Sequence, residues 1–165
     1  YYNAMDFDTD ELVVVSPDVG RAKAAKKLSD MLGCSLAIAH KGRPKHNQAA
    51  VTGIIGDIKG KTCIINDDMI DTAGTLCASV RELKKLGAGD IYVCATHGIF
   101  SGPGVERIED APIVECVVTD AVPLDPACHD GKIKTISVAD EFAECIQRIY
   151  NEVSVSGMVG ADMNL

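Results

Sequence analysis

Short runs of aliphatic and β-branched residues alternate along the chain with stretches whose apolar positions recur at helical spacing. Leu12-Val13-Val14-Val15-Ser16 reads as a buried strand. Residues 20–32 then place Ala24, Ala25, Leu28, Met31 and Leu32 as an amphipathic helix would, and Gly33 suits the position that closes it. Further strands are expected at 35–39, 51–57 and 61–66, the last strongly apolar. Residues 72–86 predict a helix with Leu76, Val80, Leu83 and Leu86 along one face, ended by Gly87-Ala88-Gly89. Strands at 91–96, 113–119 and 133–137 come next, with a short helix at 103–109 opened by Pro103 and a last helix at 139–151. Strands that are apolar along their whole length need cover on both faces. The pattern therefore predicts an α/β fold, a three-layer doubly wound and mostly parallel sheet. In such sheets ligands sit beyond the carboxyl ends of the strands, so the chemistry is sought in the segments just after them.

One segment breaks the pattern. His40-Lys41-Gly42-Arg43-Pro44-Lys45-His46-Asn47 has no apolar residue, cannot pack, and is expected as an exposed loop. The whole chain has 165 residues, enough for one domain with a core, and 47% of them are hydrophobic. A formal charge of −8 argues against a nucleic-acid duplex as the main partner. No apolar run is long enough to span a membrane, and the acidic first eleven residues resemble neither a signal nor a transit peptide. The seven cysteines are odd in number and form no C-x-x-C, so a zinc framework is not expected. They read as free thiols acting as small core hydrophobes, which suits a reducing compartment, most simply the cytoplasm.

The densest chemistry lies in Cys63-Ile64-Ile65-Asn66-Asp67-Asp68-Met69-Ile70-Asp71-Thr72-Ala73-Gly74-Thr75, an apolar strand running into three carboxylates, a small-residue turn and a helix. Two adjacent Asp inside a strand would point to opposite faces without partners, so they are expected at its exit. There they can accept hydrogen bonds from hydroxyls or hold a divalent cation. Thr72 to Thr75 offer hydroxyls and helix-start amides to a phosphate, and Gly74 lets the backbone approach it. A sugar phosphate meets both demands; the plainer alternative is a solvated loop with Asp71 as an N-cap.

This segment resembles the thirteen-residue phosphoribosyl-diphosphate motif of type I phosphoribosyltransferases and of ribose-phosphate pyrophosphokinases. Three further stretches resemble the pyrophosphokinases: Val15-Ser16-Pro17-Asp18-Val19-Gly20, the loop from His40 to Asn47, and Ala95-Thr96-His97-Gly98-Ile99-Phe100-Ser101-Gly102-Pro103. The resemblance covers about residues 12–156 and implies a type I phosphoribosyltransferase-like domain. Residues 1–11 are then a linker or N-terminal extension, and 157–165 a tail. It implies transfer of diphosphate from ATP to the anomeric oxygen of ribose 5-phosphate, with Mg²⁺ as cofactor. By the same resemblance, Lys41 and Arg43 are catalytic, although as bare residues they read equally as a solvated basic turn. Asp67, Asp68, Asp71, Thr72, Ala73, Gly74 and Thr75 would bind ribose 5-phosphate, with Arg43 also close to it. Asp18 would bear on the metal, and Ser154 and Ser156 resemble part of a regulatory phosphate site. His97 reads more simply as a hydrogen-bonded structural histidine than as part of the site.

The chain departs from the family pattern in places. Arg21 stands where the family usually has a second glycine, which would strain a backbone of positive φ or add a cation for a phosphate. Gly42 replaces a residue that is often charged, and Gly157-Met158 replaces an aromatic ending. Family members are about twice as long, with two similar domains, and this chain matches the second. The fragment is thus expected to bind ribose 5-phosphate but to form little product alone. Most ATP contacts would come from the other domain, and the full-length protein would be a homo-oligomer. Two alternatives use the same motif: a small phosphoribosyltransferase and a catalytically silent regulatory homologue.

Overall fold

A computed structural model describes residues 1–41, 51–128 and 131–158. Seven strands form one sheet: β1 (Leu12–Ser16), β2 (Ser35–Lys41), β3 (Val51–Ile55), β4 (Thr62–Ile70), β5 (Ile91–Gly98), β6 (Glu115–Thr119) and β7 (Ile133–Ile136). Four helices accompany them: α1 (Ala22–Leu32), α2 (Gly74–Lys85), α3 (Gly104–Asp110) and α4 (Ala139–Tyr150). The strand order is β3-β2-β1-β4-β5-β6-β7. Every neighbouring pair is parallel except β2 with β3, which closes one edge antiparallel. From β1 the sheet grows one way to β2 and the other way from β4, so its order reverses between β1 and β4. Open α/β sheets bind ligands at such a reversal.

Period-two alternation divides the core into two layers. Val13, Val15, Cys63, Ile65, Ile91, Val93, Cys116 and Val118 pack with Cys77, Val80 and Leu83 of α2 and Ile108 of α3. Val14, Ile64 and Val117 face the other way, onto Ala25 of α1 and onto Tyr2. The segment before β1 packs on that second face: Tyr2 is 7% exposed, its hydroxyl donates to the Val93 carbonyl at 3.2 Å, and its ring lies beside Phe7 and Tyr92. The expected three-layer doubly wound arrangement is present.

Several local expectations need correcting. The fourth strand does not end at Asn66 but continues through Asp67 and Asp68 to Ile70. Its pairing with β1 stops at Val15–Ile65, whereas pairing with β5 continues through Asp67–Ala95 to Ile70–Gly98. The extension is thus laddered on one side, and Asp67 is half-buried while Asp68 is exposed. Two adjacent acids are tolerated inside a strand because β1 has already turned away. On α1 the buried positions are Ala25 and Ser29, and Met31 is 65% exposed. On α2 Val80 and Leu83 are buried as expected and Leu76 packs partly buried against the core, but Leu86 lies past the helix end and is exposed, while Cys77 and Ser79 are buried as well.

Cys63, Cys77, Cys116 and Cys128 are buried core thiols, Cys34, Cys94 and Cys145 are half-buried, and all seven are free. Burial pushes the Cys63 thiol up to about 11. Among the described residues no helix is long and apolar enough to cross a membrane.

Candidate functional site

Three segments meet where the strand order reverses: the turn after β1, the end of β4 with the start of α2, and the end of β5. After β1, Ser16 is buried and its hydroxyl donates to the Asp18 carbonyl at 2.6 Å. The Asp18 carboxylate accepts the Arg21 amide at 3.0 Å, capping a 3-10 turn over Val19–Arg21. Arg21 itself has φ −94° and ψ 0°, a right-handed conformation, so replacing the expected glycine strains nothing.

The Arg21 side chain crosses the reversal point to the end of β4. Its Nη1 donates to Asp68 Oδ2 at 3.1 Å, and its Nε lies 3.6 Å from Asp67 Oδ1. That Nε is buried and has no hydrogen-bond partner. The Asp68 amide donates to Asp67 Oδ1 at 2.9 Å. The two acids are held differently. Burial, reinforced by the neighbouring Asp68, keeps the Asp67 carboxyl above the usual range despite its own backbone hydrogen bond and Arg21. For Asp68 desolvation is the largest single influence and pushes upward, but the hydrogen bond with Asp67, the charge of Arg21 and backbone hydrogen bonds together outweigh it and hold its carboxyl below that range.

Beyond the acids, Ile70 is buried and the chain turns through exposed Asp71 and Thr72 to buried Ala73, at φ 56°. This left-handed residue lets α2 start at Gly74, two residues later than the apolar pattern predicts. Among the described residues, the amides of Thr72, Ala73, Gly74 and Thr75 donate no hydrogen bond, as befits a helix start. These amides lie at the positive end of the α2 dipole, an arrangement chemically suited to an anion.

The turn is braced from β5 and α3. The amides of Ile99 and Phe100 both donate to the Ile70 carbonyl, at 2.8 and 3.1 Å. Phe100, at φ 50°, folds back so that a Cβ on Gly98 would meet its ring at 2.5 Å, and one on Gly104 would meet the Asp71 carbonyl at 2.9 Å. Arg107 Nη1 donates to the Thr72 carbonyl at 2.8 Å. None of these braces belongs to the sequence-derived site. The one signal that could have found them is the pair of glycines flanking Phe100, which marks close backbone approach.

The structure brings together Asp18, Asp67, Asp68, Asp71 and Thr72 to Thr75 at one end of the parallel strands. Lys41 ends β2 at that same end of the sheet, whereas Arg43 lies outside the described residues. His97 is half-buried on β5 beside Met69 of β4, and its Nδ1 is buried without a hydrogen-bond partner, so the expectation of a fully satisfied histidine fails. Ser154 and Ser156 stand apart, beyond α4, and are exposed. Their hydroxyls lie 2.7 Å from each other, and the Ser154 carbonyl accepts Arg148 Nη1 at 3.1 Å.

A parallel sheet that reverses its order beside an acidic strand end and an open helix start is a type I phosphoribosyltransferase-like α/β fold. Residues 42–159 match the family described as phosphoribosyl synthetase-associated domain, and the chain belongs to that family. It is 51% identical over 147 residues to the ribose-phosphate pyrophosphokinase of Caldanaerobacter subterraneus subsp. tengcongensis, covering 89% of this chain and 46% of that protein. It is 45% identical over 156 residues to that of Clostridium acetobutylicum, covering 94% and 49%. The crystal structure of phosphoribosylpyrophosphate synthetase from Mycobacterium smegmatis matches with a TM-score of 0.81 at 37% identity, over 92% of this chain and 49% of that one. The chain spans about half the length of these relatives.

Proposed function

We propose that this chain is the ribose-5-phosphate-binding half of an enzyme that transfers diphosphate from ATP to ribose 5-phosphate, giving phosphoribosyl diphosphate and AMP. The observation that carries this reading is the juxtaposition of acceptors and donors at one strand end. The carboxylates of Asp67 and Asp68 near the end of β4 are followed, a few residues on, by the unspent amides of Thr72–Thr75 at the start of α2. A sugar monophosphate has the complementary layout, with hydroxyls to donate and a dianion to be held.

In this reading the amides and hydroxyls of Thr72–Thr75 hold the 5-phosphate, and Asp67 and Asp68 accept the ribose hydroxyls. Asp71 borders the sugar. The anomeric oxygen attacks the β-phosphorus of ATP, the bond between the α- and β-phosphates breaks, AMP departs, and the anomeric hydroxyl gives up its proton. Lys41 and Arg43, by family resemblance, stabilise charge on the transferred group. The carboxylate of Asp18 suits a hard cation, but among the described residues no three His, Cys, Asp or Glu side chains lie close enough together to hold an ion by themselves. Mg²⁺ would therefore be held by Asp18 together with phosphate oxygens, and it would neutralise phosphate charge. ATP contacts come mostly from the half that relatives have in addition, and the full-length protein assembles as a homo-oligomer. Ser154 and Ser156 are assigned a regulatory phosphate on the same basis.

Calorimetric titration with ribose 5-phosphate tests this. The wild-type chain is expected to bind one equivalent, and Asp67→Asn/Asp68→Asn to lose roughly ten- to a hundredfold in affinity with its circular dichroism intact. Unchanged affinity in the double variant contradicts the reading. Ordinary AMP release from ATP by the chain alone contradicts its assignment as a dependent half.

A further inference from the structure

The acidic pair already has a cation. Arg21 brings a guanidinium from the β1 turn across the strand-order reversal to within 3.1 Å of Asp68 and 3.6 Å of Asp67. Two adjacent carboxylates at a strand end form the kind of oxygen-rich, doubly negative locus to which divalent cations bind. With the guanidinium in place the three side chains sum to one negative charge instead of two. An approaching Mg²⁺ or Mn²⁺ then meets a fixed positive charge at contact distance.

The arrangement is built, because the Arg21 amide is pinned to the Asp18 carboxylate at 3.0 Å and its backbone is unstrained. It is also incomplete on the acids, since Nη1 makes one hydrogen bond to Asp68 while the buried Nε makes none. Each carboxylate keeps acceptor sites that the guanidinium does not use.

We propose that Arg21 is the resident cation of the Asp67–Asp68 pair, standing where a divalent ion would otherwise bind, so that ribose hydroxyls engage these acids without a metal between them. The second clause rests on the sugar-phosphate reading of the site, and the first does not. Arg21 is in this sense a positioning residue that sets the metal requirement of sugar binding.

Titration with Mn²⁺ alone, followed by paramagnetic broadening of the amides of residues 66–69, tests the first clause. Arg21→Gly should bind Mn²⁺ roughly tenfold more tightly than wild type at those residues. Arg21→Lys, which keeps the charge, should behave as wild type, and Arg21→Gly/Asp68→Asn should lose the gain. Thermal melting of each variant checks that it is folded. An Arg21→Gly chain that is folded yet unchanged in Mn²⁺ affinity overturns the proposal, as does a gain that survives in Arg21→Gly/Asp68→Asn.

Titration with ribose 5-phosphate, with and without Mg²⁺, tests the second clause. Binding should be indifferent to Mg²⁺ in wild type and become Mg²⁺-dependent in Arg21→Gly. Wild-type binding that requires Mg²⁺ overturns that clause. A protein that shows the Mn²⁺ gain but binds ribose 5-phosphate in no form supports the resident-cation role and contradicts the sugar-phosphate reading, so the two fail separately.

Discussion

Helices α2 and α4 are both twelve residues long and both amphipathic, yet they sit in opposite circumstances. On α2 the side chains of Cys77, Ser79, Val80 and Leu83 are buried against the sheet. On α4 no residue is buried, although Phe142, Ile146 and Ile149 line up at helical spacing and are each more than 60% exposed. The apolar stripe of a helix specifies that one face avoids water, while the neighbouring surface decides whether it does. Among the described residues α2 has such a surface and α4 does not, and the buried face of α2 is what fixes the amides of Thr72–Thr75 at the sheet corner. The site thus stands on the well-packed helix.

The contrast predicts unequal responses to truncation. Leu83→Ala should lower the unfolding free energy in denaturant titrations by about 2–5 kcal/mol, through a cavity under α2. Ile146→Ala should change it by less than about 0.5 kcal/mol, since that side chain is exposed. Equal losses at the two positions would mean that α4 is packed as firmly as α2.

A smaller effect is expected at the brace of the α2 start. Arg107→Ala removes the donor to the Thr72 carbonyl and should cost about 1 kcal/mol of stability. It should also weaken ribose 5-phosphate binding several-fold, because the amides of Thr72–Thr75 are no longer fixed. A stability loss without any change in binding would show that the brace does not position the amides.

The smallest effect concerns Asp67. Its carboxyl lies above the ordinary range, chiefly through burial, so the folded state holds that proton more tightly than the unfolded chain. Stability from this group is complete below the unfolded value and is lost as pH rises through the folded one. Asp67→Asn should therefore raise the melting temperature slightly at neutral pH, and the difference should vanish in acid. A lower melting temperature at neutral pH would show that the ionised carboxylate stabilises the fold. Asp68, held low by Asp67, Arg21 and backbone hydrogen bonds that together outweigh its desolvation, has the opposite sign, its contribution fading as pH falls.

The range of each interaction decided how much of this was legible. The strands, the left-handed Gly33 after α1 and the acidic-then-small segment of β4 and α2 are local patterns, and the sequence displays them. The passage of β4 through Asp67 and Asp68 was not legible, because it depends on β5 continuing where β1 stops. Arg107 and Phe100 act on the site from 35 and 30 positions after Thr72 and Ile70, and apart from the glycines around Phe100 no local pattern announces such contacts. Arg21 was visible as a departure, but its approach to Asp68, 47 positions away, emerges only once the strand order reverses between β1 and β4. The exposed Met31 and the bare stripe of α4 teach the converse, that periodicity marks a face without supplying its cover.

The most direct test is a crystal of the chain soaked with ribose 5-phosphate and Mg²⁺. The account predicts the phosphate within hydrogen-bonding distance of the amides of Thr72–Thr75, and the ribose hydroxyls on Asp67 and Asp68. A ligand seated elsewhere, or a phosphate in that turn with its sugar pointing away from both acids, would contradict it.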